Sequence, residues 1–262
     1  MIANQISTAR HNHSTFGDLQ GKVAVITGGS SLIAVATADA LIRNGVSVAL
    51  AARNAENIGK VAKALLAKGG KAIAVPADVT DFASLETLRD EAETQLGATD
   101  ILITLAGGNG KPILATELSL EVWRETLDVN LTGTFLTLKA FLPGMISRRR
   151  GSIITMASTA GRQVSPASPA YGAAKAGVLM LMRQIAVQTG EYGVRVNAIA
   201  PGAVIEGKQM PDEMREQLAR LHPLRRTGLA ADVAEATLFL ASDVSSWITG
   251  STMDVNGGRI ML

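Results

Sequence analysis

Between residues 23 and 255 the chain repeats one pattern: a short unbroken apolar run, then a longer segment with helical spacing. The runs 23–27, 47–51, 72–75, 101–105, 151–156, 194–199 and 252–255 are rich in Val, Ile and Ala and show no polar alternation. A strand that reads this way is covered on both faces. Helical spacing fills 32–44, 55–68, 81–96 and 119–147, and a further helix carries Tyr-Gly-Ala-Ala-Lys at 171–175. Strand and helix in alternation require right-handed crossovers. The pattern therefore predicts an α/β protein with a doubly wound, mostly parallel, seven-stranded sheet and helices on both faces.

No linker interrupts the pattern, so residues 17–262 are expected to form one domain. The chain has 262 residues, of which 47% are hydrophobic and 18% charged, enough to build a substantial core. Residues 1–16 are polar, lack the apolar segment of a secretory signal, and read as a flexible arm. His11 and His13 on that arm read as solvated side chains, and no metal site is expected. The 25 basic and 23 acidic residues leave a charge of only +2, which gives no reason to expect a nucleic-acid partner. Arg148, Arg149 and Arg150 read instead as the end of a helix, where the dipole favours cations. The absence of cysteine excludes disulfides and thiolate chemistry and fits a cytoplasmic setting. No apolar run reaches ~18 residues, so no membrane span is expected.

Two ends of the chain's pattern carry chemistry. After the first strand, Gly28-Gly29-Ser30-Ser31-Leu32-Ile33 leads into a helix, an arrangement that turns backbone N–H groups toward a pyrophosphate. Leu32 and Ala34 stand where such a turn usually has its second and third glycines. Arg53 follows the second strand, with no acidic residue before Glu56, and its planar fork suits a ribose 2′-phosphate. Asp78-Val79 follows the third strand, where the aspartate either caps a turn or accepts a bond from an adenine amino group. Further on, Tyr171 and Lys175 are four residues apart, on one face of a helix. A fixed cation near a phenol favours the phenolate. Ser158 lies thirteen positions upstream and Asn130 further back in Asp-Val-Asn-Leu-Thr-Gly. Around 201–222 the strand–helix pattern lapses, and in such sheets a long connection at the carboxyl ends of strands serves as a substrate lid, here around 203–222.

Taken together these residues resemble the short-chain dehydrogenase/reductase family in its compact single-domain branch, and 3-oxoacyl thioester reductases in general look. The resemblance runs from about residue 19 to 258. It includes GKVAVITGG, Asp78, LAGG at 105–108, DVNLTG, ITMAS ending at Ser158, YGAAK, RVNAIAPG and DVNGG. It implies a Rossmann fold and an NADP(H)-dependent oxidoreductase, with NAD(H) possible, that interconverts a small-molecule ketone and a secondary alcohol. It implies a catalytic set of Asn130, Ser158, Tyr171 and Lys175. Tyr171 would pass the proton, Ser158 hold the substrate oxygen, Lys175 lower the tyrosine pKa and hold the ribose, and Asn130 anchor a water. The implied nucleotide site draws on Gly28, Ser30, Ser31, Leu32, Ile33, Arg53, Asp78, Val79, Ala106, Gly107, Pro201, Gly202 and Val204, with Tyr171 and Lys175. The family's habit also implies a homotetramer, paired through the helices around 119–147 and 167–189. Besides Leu32 and Ala34, Thr104-Leu105 replaces Asn-Asn, and Glu206 replaces a threonine close to the cofactor. These departures leave a second reading: a family member that binds nucleotide weakly and acts as a scaffold or sensor.

Overall fold

The computed structural model describes residues 13–108, 112–207 and 209–261. Its seven strands are β1 (Val23–Thr27), β2 (Ser47–Ala52), β3 (Ala72–Pro76), β4 (Ile101–Thr104), β5 (Gly151–Met156), β6 (Val194–Pro201) and β7 (Thr252–Val255). They form one sheet in the order β3-β2-β1-β4-β5-β6-β7, and every neighbouring pair is parallel. The strand order reverses between β1 and β4. At that switch point a doubly wound sheet opens a crevice beyond its strand ends.

Successive residues of a strand point to opposite faces, and each face has its own apolar cluster. Val25, Leu102, Ile153 and Val196 pack with helices α3 (Phe82–Leu96), α5 (Gly133–Arg148) and α6 (Pro169–Thr189). Ala24, Ile26, Ile103 and Ile154 pack with α1 (Leu32–Arg43), α2 (Ala55–Leu66) and α8 (Ala230–Ala241). This is the double coverage that the uninterrupted apolar runs predict.

Three features differ from the sequence reading. The helical stretch expected over 119–147 is α4 (Leu120–Leu127), a π-helical turn over Asp128–Thr132, and then α5, which runs on through Pro143 to Arg148. Helix α8 has no counterpart in that reading, because its residues are apolar nearly all round and no Ser, Thr, Asp or Asn occupies the N-cap. Residues 14 and 16, assigned to the arm, are hydrogen-bonded to the domain. The Ser14 N–H donates to Glu235 Oε2 at 3.2 Å and the Phe16 N–H to Asn44 Oδ1 at 2.7 Å. Residues 1–12 of the arm lie outside the described residues.

The connection after β6 is fastened at its neck. Val204 bridges Gly228, the Gly228 N–H donates to Ala203 O at 2.9 Å, and a nine-residue helix, α7 (Asp212–Arg220), lies between. Among the described residues, no helix is long and apolar enough to cross a membrane.

Candidate active site

A cleft of about 690 Å³ opens at the carboxyl ends of β1, β2, β3 and β4. Gly28, Ser30, Ser31, Arg53, Asp78, Val79, Ala106 and Gly107 all line it, so the structure brings together most of the residues that the sequence singles out. Asn54, Ala77, Leu105 and Val129 line it too. Adjacency to Arg53, Asp78, Ala106 and Asn130 was the only sequence signal for these. Leu32, Ile33 and Pro201 are not among its walls, and Gly202 and Val204 line a second cavity of about 410 Å³, between the neck of the β6 connection, α8 and β7.

The first turn of the cleft fits a diphosphate. Gly28 has φ +70°, and a Cβ there would come within 2.7 Å of the Ala106 nitrogen and of the Leu105 carbonyl group. Only glycine meets both demands. Ser31 caps α1, its Oγ accepting the Ala34 N–H at 3.2 Å. The Leu32 and Ile33 N–H groups have no acceptor among the described residues, and the first turn of α1 carries no acidic side chain. An anion is therefore favoured there by both hydrogen bonding and dipole. Leu32, whose backbone has ordinary negative φ, is the first helical residue and is 39% exposed. Its conformation thus makes no use of the freedom a glycine would give. Ala34 is fully buried, in keeping with close helix–sheet packing.

At the outer end, Arg53 is exposed at the cleft mouth. Asp78 caps a turn: its Oδ1 accepts from the Thr80 N–H at 2.9 Å and from the Thr80 hydroxyl at 2.8 Å. Those two bonds hold the Asp78 carboxyl below the usual carboxylate range, and the Arg53 charge adds to the effect. Glu56, the first acidic residue after β2, is turned away onto the α2 surface, 2.6 Å from Lys60 Nζ.

The four residues of the expected catalytic set do not line the cleft itself but gather beside its Gly107 wall. Ser168 caps α6 by accepting the Tyr171 N–H at 3.2 Å, which starts the helix one turn before Lys175. Lys175 is 5% exposed, and its Nζ donates to Met156 O, at the end of β5, over 2.8 Å. Ser158 follows two residues later and lies close enough to the Tyr171 phenol to lower its pKa. The same Oγ caps a short 3-10 turn over Thr159–Gly161 by accepting the Ala160 N–H at 3.1 Å. Asn130 lies in the π-helical turn and is buried. Its Oδ1 accepts from the Gly108 N–H at 3.3 Å and its Nδ2 donates to Thr126 O at 2.9 Å. A Cβ on Gly107 would sit 2.6 Å from Asn130 Oδ1 and 3.4 Å from Lys175 Nζ, so these two side chains flank the same short backbone stretch of the cleft wall.

The electrostatics correct one expectation. Lys175 was expected to lower the Tyr171 pKa. Burial instead raises the phenol above its ordinary value, and the Ser158 hydroxyl offsets this only in part. The Lys175 Nζ stands 5.7 Å from the ring centroid, with one of its three N–H groups on Met156 O. Lys175 itself is pushed down to about 8 by desolvation. Glu206 is engaged by the protein itself: its Oε2 accepts the Ala230 N–H at 2.9 Å, at the start of α8. Thr104 is buried in β4 with no partner for its hydroxyl among the described residues.

Comparison with known proteins agrees with this geometry. The family model described as enoyl-(acyl carrier protein) reductase matches residues 28–259. The chain belongs to the short-chain dehydrogenase/reductase family and is an oxidoreductase of that family. It is 37% identical to a cis-4-hydroxycyclohexanecarboxylate dehydrogenase of Sinomonas cyclohexanicum, over 90% of this chain and 96% of the relative. A 3-oxoacyl-[acyl-carrier protein] reductase of Brucella melitensis superposes with a TM-score of 0.88 at 33% identity, covering 94% of both chains. An NAD⁺-bound xylitol dehydrogenase superposes with a TM-score of 0.86 at 30% identity, covering 92% of this chain and 99% of the other.

The desolvated ammonium has a measurable consequence. The unfolded chain holds the Lys175 proton up to its ordinary pKa of 10.5 and the folded chain only up to about 8. The cost to stability is thus fully present below pH 8 and fades as pH rises toward 10.5. It is on the order of 3 kcal/mol, less about 1 for the bond to Met156 O. Lys175→Met is expected to be more stable than wild type at pH 7 by roughly 2 kcal/mol, with the difference shrinking by pH 10. Urea denaturation at the two pH values measures it; a variant less stable at pH 7, or a gap that does not change with pH, contradicts this burial.

Proposed function

We propose that this protein interconverts a ketone and a secondary alcohol with a nicotinamide nucleotide, NADP(H) in preference to NAD(H). The gathering of Ser158, Tyr171, Lys175 and Asn130 beside the Gly107 wall of the cleft carries this reading. The Gly28 turn and the free N–H groups of α1 would hold the diphosphate, and Lys175 the nicotinamide ribose. The bound nicotinamide supplies or accepts the hydride.

Tyr171, like any phenol, keeps its proton at neutral pH, and burial raises its pKa further. It therefore stands ready to donate to a substrate oxygen as negative charge develops there. Ser158, close to the same phenol, holds and polarises that oxygen. Hydride and proton together convert the carbonyl to an alcohol, and a protonated tyrosine favours the reductive direction. Asn130 fixes the Gly108 backbone and Thr126 beside Lys175, and its amide keeps one donor and one acceptor with which to anchor a water. The connection around 203–222, with α7, is proposed as the substrate lid.

Arg53 at the cleft mouth supports NADP(H), since no carboxylate stands at the end of β2 to take a ribose 2′-hydroxyl. The relatives act, by name, on cis-4-hydroxycyclohexanecarboxylate, a 3-oxoacyl-[acyl-carrier protein] and xylitol, which keeps the proposed substrate at the level of ketone or secondary alcohol. The chain's assembly as a homotetramer is proposed on exposed apolar side chains along the helices expected to pair: Leu120, Phe135, Met180 and Val187.

Reduced-nicotinamide absorbance with a ketone panel tests the reaction. Tyr171→Phe is expected to lose at least about a hundredfold in kcat, within the usual worth of a positioned acid, and Arg53→Ala to weaken NADPH while leaving NADH unchanged. Equal turnover by wild type and Tyr171→Phe refutes the mechanism, and equal affinity for the two nucleotides in wild type refutes the preference. Binding of neither nucleotide in calorimetric titration would favour a scaffold or sensor. Light scattering in solution is expected to give the mass of four chains; a monomer overturns the assembly.

A further inference from the structure

The turn that carries Ser158 is fixed at a second point, outside the catalytic set. The 3-10 turn over Thr159–Gly161 is closed by the Gly161 N–H on Ser158 O and the Arg162 N–H on Thr159 O, both at 3.0 Å. Gly161 lies flush on α6: a Cβ there would come within 2.6 Å of the Lys175 carbonyl carbon. The next residue, Arg162, reaches across the end of β6 to β7, where its Nη2 stands 3.2 Å from Asp254 Oδ2. Since β6 separates β5 from β7, this contact spans two strand spacings, roughly 10 Å. Asp254 is in register with Ala200, the residue before Pro201-Gly202.

This ion pair is ill suited to stabilising the fold. The two side chains are only 14% and 21% exposed, yet they share a single contact. Arg162 Nε and Asp254 Oδ1 are both buried without a partner among the described residues. Arg226 and Asp232 at the base of α8, where the arginine is half-exposed and the aspartate is as covered as Asp254, make two contacts instead. A buried pair with unsatisfied atoms gives back little more than its desolvation cost. Its effect is positional. The guanidinium draws the end of the turn toward β7, Gly161 stops it against α6, and Ser158 is held between the two.

We propose that Arg162, held by Asp254, is a positioning residue for Ser158, fixing the serine hydroxyl relative to Tyr171 and to the end of β6. The proposal rests on the hydride-transfer reading above. It is tested by measuring kcat, KM, nucleotide affinity and thermal stability for Arg162→Met, Arg162→Met/Asp254→Leu and Asp254→Asn beside wild type and Tyr171→Phe. Arg162→Met strands a buried carboxylate and is expected to melt lower; the apolar pair restores stability. A serine displaced by even part of an ångström is costly, so both are expected to lose at least about tenfold in kcat at unchanged nucleotide affinity. The apolar pair keeps that loss despite its restored melting temperature, which a purely structural role would not produce. Asp254→Asn keeps the shape, folds in any case, and is expected to lose about three- to tenfold in kcat. Wild-type kcat in the folded apolar pair or in Asp254→Asn, with Tyr171→Phe inactive, overturns the brace alone. Wild-type turnover by Tyr171→Phe overturns the hydride-transfer reading, and the brace with it.

Discussion

The bond from the Lys175 ammonium to the Met156 carbonyl ties the first turns of α6 to the end of β5, and the candidate site is arranged around it. Met156 is the last residue of a central strand, so its carbonyl is fixed by the sheet. Two residues on, the chain must turn back over α6, and it can do so closely because residue 161 is glycine. Ser158 thereby meets Tyr171, one helical turn before Lys175. On the other side, the π-helical turn sets Asn130 against Gly107 and Gly108, which close the wall beside the ammonium. Sheet, helix and turn each place one functional group, and the buried cation is the point they share.

That burial has a cost. Desolvation brings Lys175 to about 8 and raises the phenol of Tyr171. Both groups are thus moved toward their neutral forms, lysine losing its proton more readily and tyrosine keeping it. Active sites commonly hold groups whose environments disfavour charge. The tyrosine is an acid at neutral pH, and the cleft beside it favours anions at its other end through the first turn of α1. Glu206 accepts the first N–H of α8 and fastens the neck of the proposed lid.

Much of the fold was legible because its strands are buried on both faces and announce themselves as unbroken apolar runs. The cleft residues were legible because turns at strand ends use few residue types: Gly28, Ser31 and Asp78 each answer a local backbone demand. What escaped depends on packing. Helix α8 lacks a polar N-cap and an amphipathic stripe, since it is buried between α1 and the sheet. Asp128–Thr132 has nothing in its sequence to distinguish a π-helical turn from ordinary helix, and the extra residue there answers to tertiary contacts. The direction of the Tyr171 shift escaped too, because helical spacing places a lysine near a tyrosine without saying where its ammonium points. The Arg162–Asp254 contact joins residues 92 positions apart across two strand spacings, a distance no local pattern encodes.

The state of the Tyr171 phenol is the most direct measure of this account. The chain has two tyrosines, so in Tyr192→Phe the phenolate absorbance near the red edge of the tyrosine band reports Tyr171 alone. Titrated without nucleotide, Tyr171 is expected to ionise above the ordinary tyrosine value of 10.0, as its burial requires. Ionisation below that value would show that the lysine charge, and not desolvation, governs the site, and would contradict the arrangement described.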